Sequence, residues 1–516
     1  MQPQFTLFSE LTEHQAQSRC DKIALKFEGE EITYGQFAGR ARRVANGLTA
    51  SGVRRGDRII YIAKNNAAYY EILFGAAFIG ATVVPVNWRL APPEVAWIVR
   101  DARPAFAFIS TLFEDRARGE WPMHCVLDVE GAAGFAAWRD RQPDFTPRLA
   151  VSPDDTVVQL YTSGTTGRPK GAMLSQRAML VFRSMPAAAQ PEWNRWTEAD
   201  VSLIVMPQFH IGGTGFGLQT LCAGATGLVI KEFDTDLILH FIEQERLSKL
   251  FTVPSALQMI LRHPRVRDID YRRIRTIVYG ASPIPVSLLR EAMQVFGCRF
   301  VQQYGMTETA GTICVLPPEE HRLEGSPRME SAGHPLAGVD IKIYRSDGAV
   351  AAEGEIGEIG IRSPTLMSGY WNGVGAARTA FTDEGYFLSG DAGYLDADGY
   401  LYIRDRIKNM IVSGGENIYP AEVESVLRNF PGVADAAVIG VPDDKWGEAV
   451  KAVIVMAPGM EVEASEIIAW ARGRLAGYKL PKSIDFRQEL PRNAAGKILH
   501  RELRETFWAG RQRRVN

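Results

Sequence analysis

The run Tyr161-Thr-Ser-Gly-Thr-Thr-Gly-Arg-Pro-Lys-Gly171 gathers four aliphatic hydroxyls, three glycines and two cations into eleven residues. It has little to pack into a core and much to offer an anion. Gly164 and Gly167 admit positive φ and close backbone approach. Thr162, Ser163, Thr165 and Thr166 can donate to phosphate oxygens, and Arg168 and Lys170 add charge. Thr156-Val-Val-Gln-Leu-Tyr161 reads as a strand feeding this phosphate loop. A Walker-type loop needs Gly-x4-Gly-Lys-[Ser/Thr]. Counted from Gly164, Pro169 and Gly171 stand where its second glycine and its hydroxyl belong, which excludes it.

Four more runs follow in order: Gln303-Tyr-Gly-Met-Thr-Glu308, Tyr386-Phe-Leu-Ser-Gly-Asp391, Asp405-Arg-Ile-Lys-Asn-Met-Ile-Val-Ser-Gly-Gly-Glu-Asn-Ile-Tyr-Pro420 and Leu490-Pro-Arg-Asn-Ala-Ala-Gly-Lys497. With the phosphate loop they resemble the motifs of the adenylate-forming (AMP-binding) superfamily, in its acyl-CoA synthetase and fatty-acid CoA ligase branch. The superfamily also includes the adenylation domains of peptide synthetases and the luciferases, and the resemblance covers nearly the whole chain.

By that resemblance Thr162 to Gly167 and Lys170 hold phosphates, and Gly280, Ala281, Ser282 and Gly305 contact the nucleotide. Tyr304 stacks on adenine and Thr307 touches phosphate. Glu308 holds Mg²⁺, which suits a hard cation bridging phosphates. Asp391 binds both ribose hydroxyls, Arg406 contacts ribose and phosphate, and Lys408 is the hinge. Gly414, Gly415 and Tyr419 line the thiol's path, and Trp446 belongs to a loop, Asp443-Asp-Lys-Trp-Gly-Glu448, found in CoA ligases. Lys497 bridges the substrate carboxylate and the α-phosphate, so that two anions can approach for in-line attack. Arg492 stands where the family usually has lysine. His210 resembles the aromatic gate residue of the acyl site.

The elements that must position these residues show in the hydrophobic periodicity. From Lys22 to about Ser110, strands at 23–27, 58–62, 82–85 and 105–109 alternate with helices at 34–50, 67–80 and 92–102, the pattern of a parallel sheet with crossovers. Thr33 and Gln36 form a capping box, and Phe37, Ala41, Val44, Ala45 and Leu48 make one apolar face. Further strands at 201–205, 228–230, 250–253 and 274–279 each end in a turn rich in Pro, Gly or Ser, where ligands of open α/β sheets sit. From about Ser331 short strands and glycine turns suggest a small β-unit, followed by a compact α+β unit beyond the charged connector 404–409.

The expected fold is α/β: a large N-terminal domain of parallel α/β subdomains plus a small β-barrel-like unit, and a small mobile α+β C-terminal domain. The expected domains are 1–405, with about 331–405 β-rich, and 406–516. Gly212-Gly-Thr-Gly-Phe-Gly217 does not match a dinucleotide fingerprint cleanly. It is read as letting His210 and the backbone approach the acyl group.

A net charge of -2 speaks against nucleic-acid or polybasic membrane binding. The five cysteines are scattered and never form Cys-x-x-Cys, which suggests neither disulfides nor zinc and fits a reducing cytoplasm. The N-terminus lacks the charged and apolar regions of a signal peptide. The longest apolar run, 72–86, is too short to span a bilayer.

The stretches 205–219, 252–258, 279–284 and 300–306 carry no charged side chain apart from His210, so an apolar monocarboxylic acid is expected. His210, Gly213, Phe216, Leu257 and Met306 are its candidate pocket. The expected function is an ATP-dependent acid–thiol ligase making acyl-CoA through an acyl-adenylate, with Mg²⁺ as cofactor and a fatty acid preferred. Thr307, Glu308, His210 and Lys497 are its catalytic candidates. An aryl-acid (benzoate- or cinnamate-like) CoA ligase and a standalone enzyme loading a carrier protein are the alternatives. A catalytically dead relative would be expected to lose Lys497 or Glu308, and the chain keeps both. Expected partners are the acid, ATP and CoA, with a homodimer and a lysine acetyltransferase acting on Lys497 as macromolecular candidates.

Overall fold

The helix Tyr34–Ala50 begins where the sequence marks it. Thr33 Oγ1 accepts from the Gln36 N–H at 3.2 Å, and Gln36 Oε1 accepts from the Thr33 N–H at 2.9 Å. Its apolar stripe is buried and packs on the helix Ala68–Phe78, which is buried along its whole length. Gly75 allows the two helices to meet closely: a Cβ there would stand 2.6 Å from Val44. The computed structural model describes residues 4–122, 124–162, 169–373, 380–413, 416–460, 462–493 and 496–509.

The early strands supply two sheets instead of one. Arg58–Ile62 pairs in parallel with Thr82–Pro85 and Phe106–Ile109, and Thr156–Thr162 continues this sheet beside Thr82–Pro85. Ile23–Phe27 instead lies parallel to Thr226–Val229, in a second sheet with Val201–Ile204, Lys249–Thr252, Thr276–Gly280 and Arg299–Met306. Leu203, Leu228, Leu250, Ile277 and Phe300 of that sheet are buried in one core with Leu257 and Ile260 of the helix Pro254–Leu261.

The glycine-rich run after His210 is helical, not a loop. Ile211–Cys222 is an α-helix with His210 at its N-cap. Four glycines make this a poor helix by propensity, and packing overrides the propensity. A Cβ on Gly213 would stand 2.3 Å from the Pro207 carbonyl oxygen, one on Gly215 2.5 Å from Arg183, and one on Gly217 2.0 Å from the Tyr70 hydroxyl. The Tyr70 hydroxyl in turn donates to the Gly213 carbonyl at 2.9 Å.

Two compact units result. One comprises Met1–Met329, Pro335–Asp340 and Arg362–Phe381; the other comprises Glu330–His334, Ile341–Ile361 and Thr382–Asn516. The second unit holds most of a four-stranded sheet in the order Asp340–Tyr344, Gly357–Arg362, Phe387–Leu395, Leu401–Arg406, antiparallel between its last three strands. It also holds an α+β part in which Val433–Asp443 and Gly447–Met456 pair along ten positions, with Ser483–Phe486 parallel at the side. Asp405, near the end of the first of these sheets, accepts from the Ala421 N–H at 2.9 Å and the Asn409 amide at 3.2 Å. In this division the β-rich part groups with the C-terminal part. Among the described residues no helix is long and apolar enough to cross a membrane.

Candidate active site

Lys170–Ser175 turns back antiparallel to Thr156–Thr162, so that Thr162 and Lys170, the ends of the phosphate loop, are cross-strand partners. The expected loop residues Ser163, Gly164, Thr165, Thr166 and Gly167 lie outside the described residues, as does Arg168. Glu308 meets this hairpin: its Oε1 accepts from the Thr162 hydroxyl at 3.2 Å and from the Tyr370 hydroxyl at 2.9 Å. The Lys170 ammonium stands 5.2 Å from the centre of the Tyr370 ring. Tyr370 is placed by main-chain pairing of Gly369–Tyr370 with Met173 and Ala172. No sequence signal points to it, because nothing local ties residue 370 to residue 308.

Glu308 owes its position to a tight turn. The strand Arg299–Met306 runs into a 3-10 turn over Thr307–Thr309, and the chain returns antiparallel as Gly311–Leu316. Thr309 closes this turn. Its hydroxyl accepts from the Met306 N–H at 3.1 Å and stands 2.6 Å from the Gly311 carbonyl. Arg183, also missed in the sequence, donates to the carbonyls of Gly215, Met179 and Ala310 at 3.1, 2.8 and 2.8 Å. It thereby joins the glycine-rich helix to the turn, and burial pulls its guanidinium down to about 10. Tyr304 and Gly305 lie on the strand before the turn, where a Cβ at Gly305 would stand 2.0 Å from the Gly311 carbonyl oxygen.

At the carboxyl end of Thr276–Gly280, Ala281 adopts φ 67°, a conformation unusual for a residue with a Cβ and typical of functional turns. Ser282 follows, partly exposed. His210 sits beyond the end of Val201–Ile204. Its Nε2 is buried without a partner among the described residues, and burial, then Arg89, pulls the imidazole down to about 4. Of the expected pocket residues, Gly213 is packed against the Pro207 carbonyl and Leu257 belongs to the core. Phe216 is partly exposed, its ring 5.8 Å from Phe251, and Met306 is nearly buried. A cavity of about 430 Å³ bordered by Arg55, Arg58, Thr82 and Thr156 lies at the amino ends of its strands. The residues described above cluster at carboxyl ends, so this cavity is not the candidate site.

In the second unit Asp391 and Arg406 are cross-strand partners, and Arg406 Nε lies 2.7 Å from the buried Asp391 carboxylate. Lys497 belongs with them. Burial, then Arg406, lowers its ammonium from the usual lysine range, while Asp391 and Asp405 oppose the shift. Lys408 lies in a 3-10 turn over Ile407–Asn409. Tyr419 is the N-cap of the helix Pro420–Arg428. Trp446 is exposed, with its N–H and that of Lys445 both held by Asp443. Gly414 and Gly415 lie outside the described residues.

The family model for AMP-binding enzymes matches residues 12–371, and that for the AMP-binding enzyme C-terminal domain matches 422–497. The chain belongs to the AMP-binding enzyme family. It is 40% identical to a fatty acid–[acyl-carrier-protein] ligase, ScoC, of Streptomyces coeruleorubidus, over 100% of this chain and 99% of that one. It is 40% identical to a feruloyl-CoA synthase of an Amycolatopsis species, over 94% and 96%. The structure of ATP-bound MatB from Rhodopseudomonas palustris superposes with a TM-score of 0.88 at 29% identity, covering 97% of this chain and 99% of that one. The enzyme is accordingly an AMP-forming acid–thiol ligase that uses ATP and Mg²⁺. Among the described residues no three metal-ligating side chains cluster. Mg²⁺ keeps waters and binds through substrate phosphates with one or two carboxylates, and Glu308, held by the Thr162 and Tyr370 hydroxyls beside the phosphate-loop hairpin, fits that need.

Proposed function

We propose that the ligase activates an apolar monocarboxylic acid, with fatty acids preferred, and passes the acyl group to coenzyme A. The observation that carries this reading is His210. Its imidazole is neutral at working pH, with Nε2 buried and unpartnered among the described residues. The stretches 205–219, 252–258, 279–284 and 300–306 offer no charge to a second ionised group on the substrate. Such a group would be desolvated without a partner.

In this reading Glu308 would hold Mg²⁺, which neutralises phosphate charge during the transfer. Asp391 accepts from the ribose hydroxyls, and Arg406 both steadies Asp391 and faces phosphate. Tyr304 stacks on adenine, and Lys497 screens the substrate carboxylate from the α-phosphate. A carboxylate oxygen then bonds to the α-phosphorus as the bond to pyrophosphate breaks. Movement about Lys408 withdraws Lys497. The thiol sulfur, its proton lost to solvent, bonds to the acyl carbon as the bond to AMP breaks. The five free cysteines suit a reducing cytoplasm, and acetylation of Lys497 by a lysine acetyltransferase would silence the first step by removing its charge.

A second reading, transfer to a carrier protein, is favoured by the name of the relative that matches along the entire chain. Release of AMP is measured with alkyl and aryl acids in the presence of CoA, a phosphopantetheinylated carrier protein, or neither. Acid-dependent AMP release with CoA, greater for alkyl acids, is expected. Turnover with the carrier alone, or with aryl acids alone, would replace this reading with its alternative.

A further inference from the structure

Lys497 stands on a small hairpin. The Asn493 N–H donates to the Lys497 carbonyl at 2.8 Å, Asn493 Oδ1 accepts from the Lys497 N–H at 2.9 Å, and Leu499 N–H donates to the Pro491 carbonyl at 2.8 Å. Gly496 takes φ 76° at the bend. Arg492 donates to the Gly496 carbonyl and pairs with Asp435, bracing the loop from outside. The hairpin then runs directly into the helix His500–Trp508.

The first residue of that helix is held by charge. His500 Nε2 lies 2.6 Å from Glu424 Oε1 on the helix Pro420–Arg428. Glu424 is buried, and the same oxygen accepts from the Val438 N–H at 2.8 Å while Arg428 takes the other oxygen at 3.2 Å. Asp405 faces His500 from the strand Leu401–Arg406, and Lys497 faces it from its own hairpin. Burial disfavours the imidazolium, yet Glu424 and Asp405 outweigh burial and Lys497, so the His500 pKa is raised. Burial likewise works against the Glu424 carboxylate, but His500 and Arg428 hold its pKa down. One turn along the helix, Arg504 donates to the Lys408 carbonyl at 3.4 Å.

We propose that His500, paired with Glu424 at the foot of the Lys497 hairpin, is a positioning residue that sets where the Lys497 ammonium stands during adenylation. This rests on the reading of Lys497 given above. Only Ile498 and Leu499 separate the two residues, and the Leu499–Pro491 hydrogen bond closes the hairpin at its base, so a shift of His500 off Glu424 is passed to Lys497. The charge matters as well as the anchor. Without the imidazolium, the Glu424 carboxylate and Asp405, whose pKa burial and then Glu424 hold up, keep Lys497 as a neighbouring cation, and its ammonium is drawn toward them and away from the reacting anions. The pair holds between two limits. It weakens as pH falls through the lowered Glu424 pKa and as pH rises through the raised His500 pKa.

The test compares His500→Gln, His500→Arg and Lys497→Ala with the parent enzyme. Acid-dependent ATP–pyrophosphate exchange and thioester formation from synthetic acyl-adenylate are measured from pH 6 to 9. His500→Gln should lower kcat of exchange by about a hundredfold, the scale for a misplacement of roughly 1 Å at a reacting group. The KM for ATP and the rate of thioester formation should stay near parental values. The parent should lose exchange activity as pH rises through the raised His500 pKa, and His500→Arg, which keeps a cation at every pH tested, should lack that limb. An active His500→Gln beside an inactive Lys497→Ala overturns this proposal alone, whereas an active Lys497→Ala overturns the catalytic reading and this one with it. Equal loss of both half-reactions in a folded His500→Gln would show a merely structural role. Should that variant not fold, His500→Arg decides through the presence or absence of the alkaline limb.

Discussion

Replacing Tyr370 with phenylalanine removes one hydroxyl and nothing else from the hairpin that meets Glu308. That hydroxyl donates to Glu308 Oε1 at 2.9 Å, and Thr162 donates to the same oxygen at 3.2 Å. A hydrogen bond to a charged group contributes about 1.5–3 kcal/mol, and each 1.36 kcal/mol is roughly a factor of ten in rate. If the bond is made in full only when Glu308 holds Mg²⁺, the ceiling is a loss of about a hundredfold. Because Thr162 still holds the carboxylate, Tyr370→Phe should cost nearer tenfold in ATP–pyrophosphate exchange, with a raised Mg²⁺ concentration for half-maximal rate. Thr162→Val alone should cost less, since its bond is longer, and the double variant should cost more than the product of the two single losses, because each hydroxyl partly covers for the other. Exchange is followed over a Mg²⁺ titration for the four proteins. An unchanged Mg²⁺ dependence in Tyr370→Phe, or strict multiplicativity of the two losses, would refute the claim that these hydroxyls jointly orient Glu308.

Gly217→Ala should destabilise the enzyme by roughly 2 kcal/mol, the sum of overpacking and a broken buried hydrogen bond less the better helix propensity of alanine; urea unfolding reads it, and an unchanged midpoint would contradict the close approach of Tyr70. Burial and Arg89 hold His210 down to about 4, below its ordinary 6.5, so between these values the unfolded chain binds a proton that the folded one does not. His210 thus costs stability as pH falls through that window and nothing above it, and His210→Phe should flatten the decline of the urea midpoint from pH 6.5 to 4; a slope equal to the parent's would refute this. Lys408→Pro fixes φ near about −65° at the proposed hinge, so thioester formation should collapse while pyrophosphate exchange survives, and normal overall turnover would move the hinge elsewhere.

What the sequence made legible was local. The capping box at Thr33 and Gln36, the strand and helix alternation and the motif residues depend on spacing within one element, and the structure has the Tyr34–Ala50 helix at its expected bounds. What it hid was non-local. Ile23–Phe27 joins the second sheet through Leu25 and Lys26, opposite Gly227 and Leu228, a pairing that no periodicity records. Arg183 and Tyr370 look like ordinary surface residues in the sequence, and they matter because folding brings them to Ala310 and Glu308. Thr162, Lys170 and Glu308 were legible as chemistry and are brought together; Asp391, Arg406 and Lys497 were legible likewise and share a second cluster. Gly213 and Leu257, both candidates for the acyl pocket, lie against the Pro207 carbonyl and in the core; a glycine signals closeness without saying to what, and a leucine near a strand end packs as readily into a core as along a pocket.

The glycine-rich helix after His210 bears on any attempt to alter the range of acids accepted. Enlarging a glycine is the usual way to shorten a pocket, and Gly213, Gly215 and Gly217 invite it. Their missing side chains, however, are already answered by a carbonyl, an arginine and a tyrosine hydroxyl of the protein itself. Variation there would be filtered by folding before it could be sampled for selectivity. Phe216 is differently placed: its ring lies among those of Trp196 and Phe251, and it remains partly exposed. Within a single helix, then, one set of positions is closed to change by the scaffold and a neighbouring position is open to it.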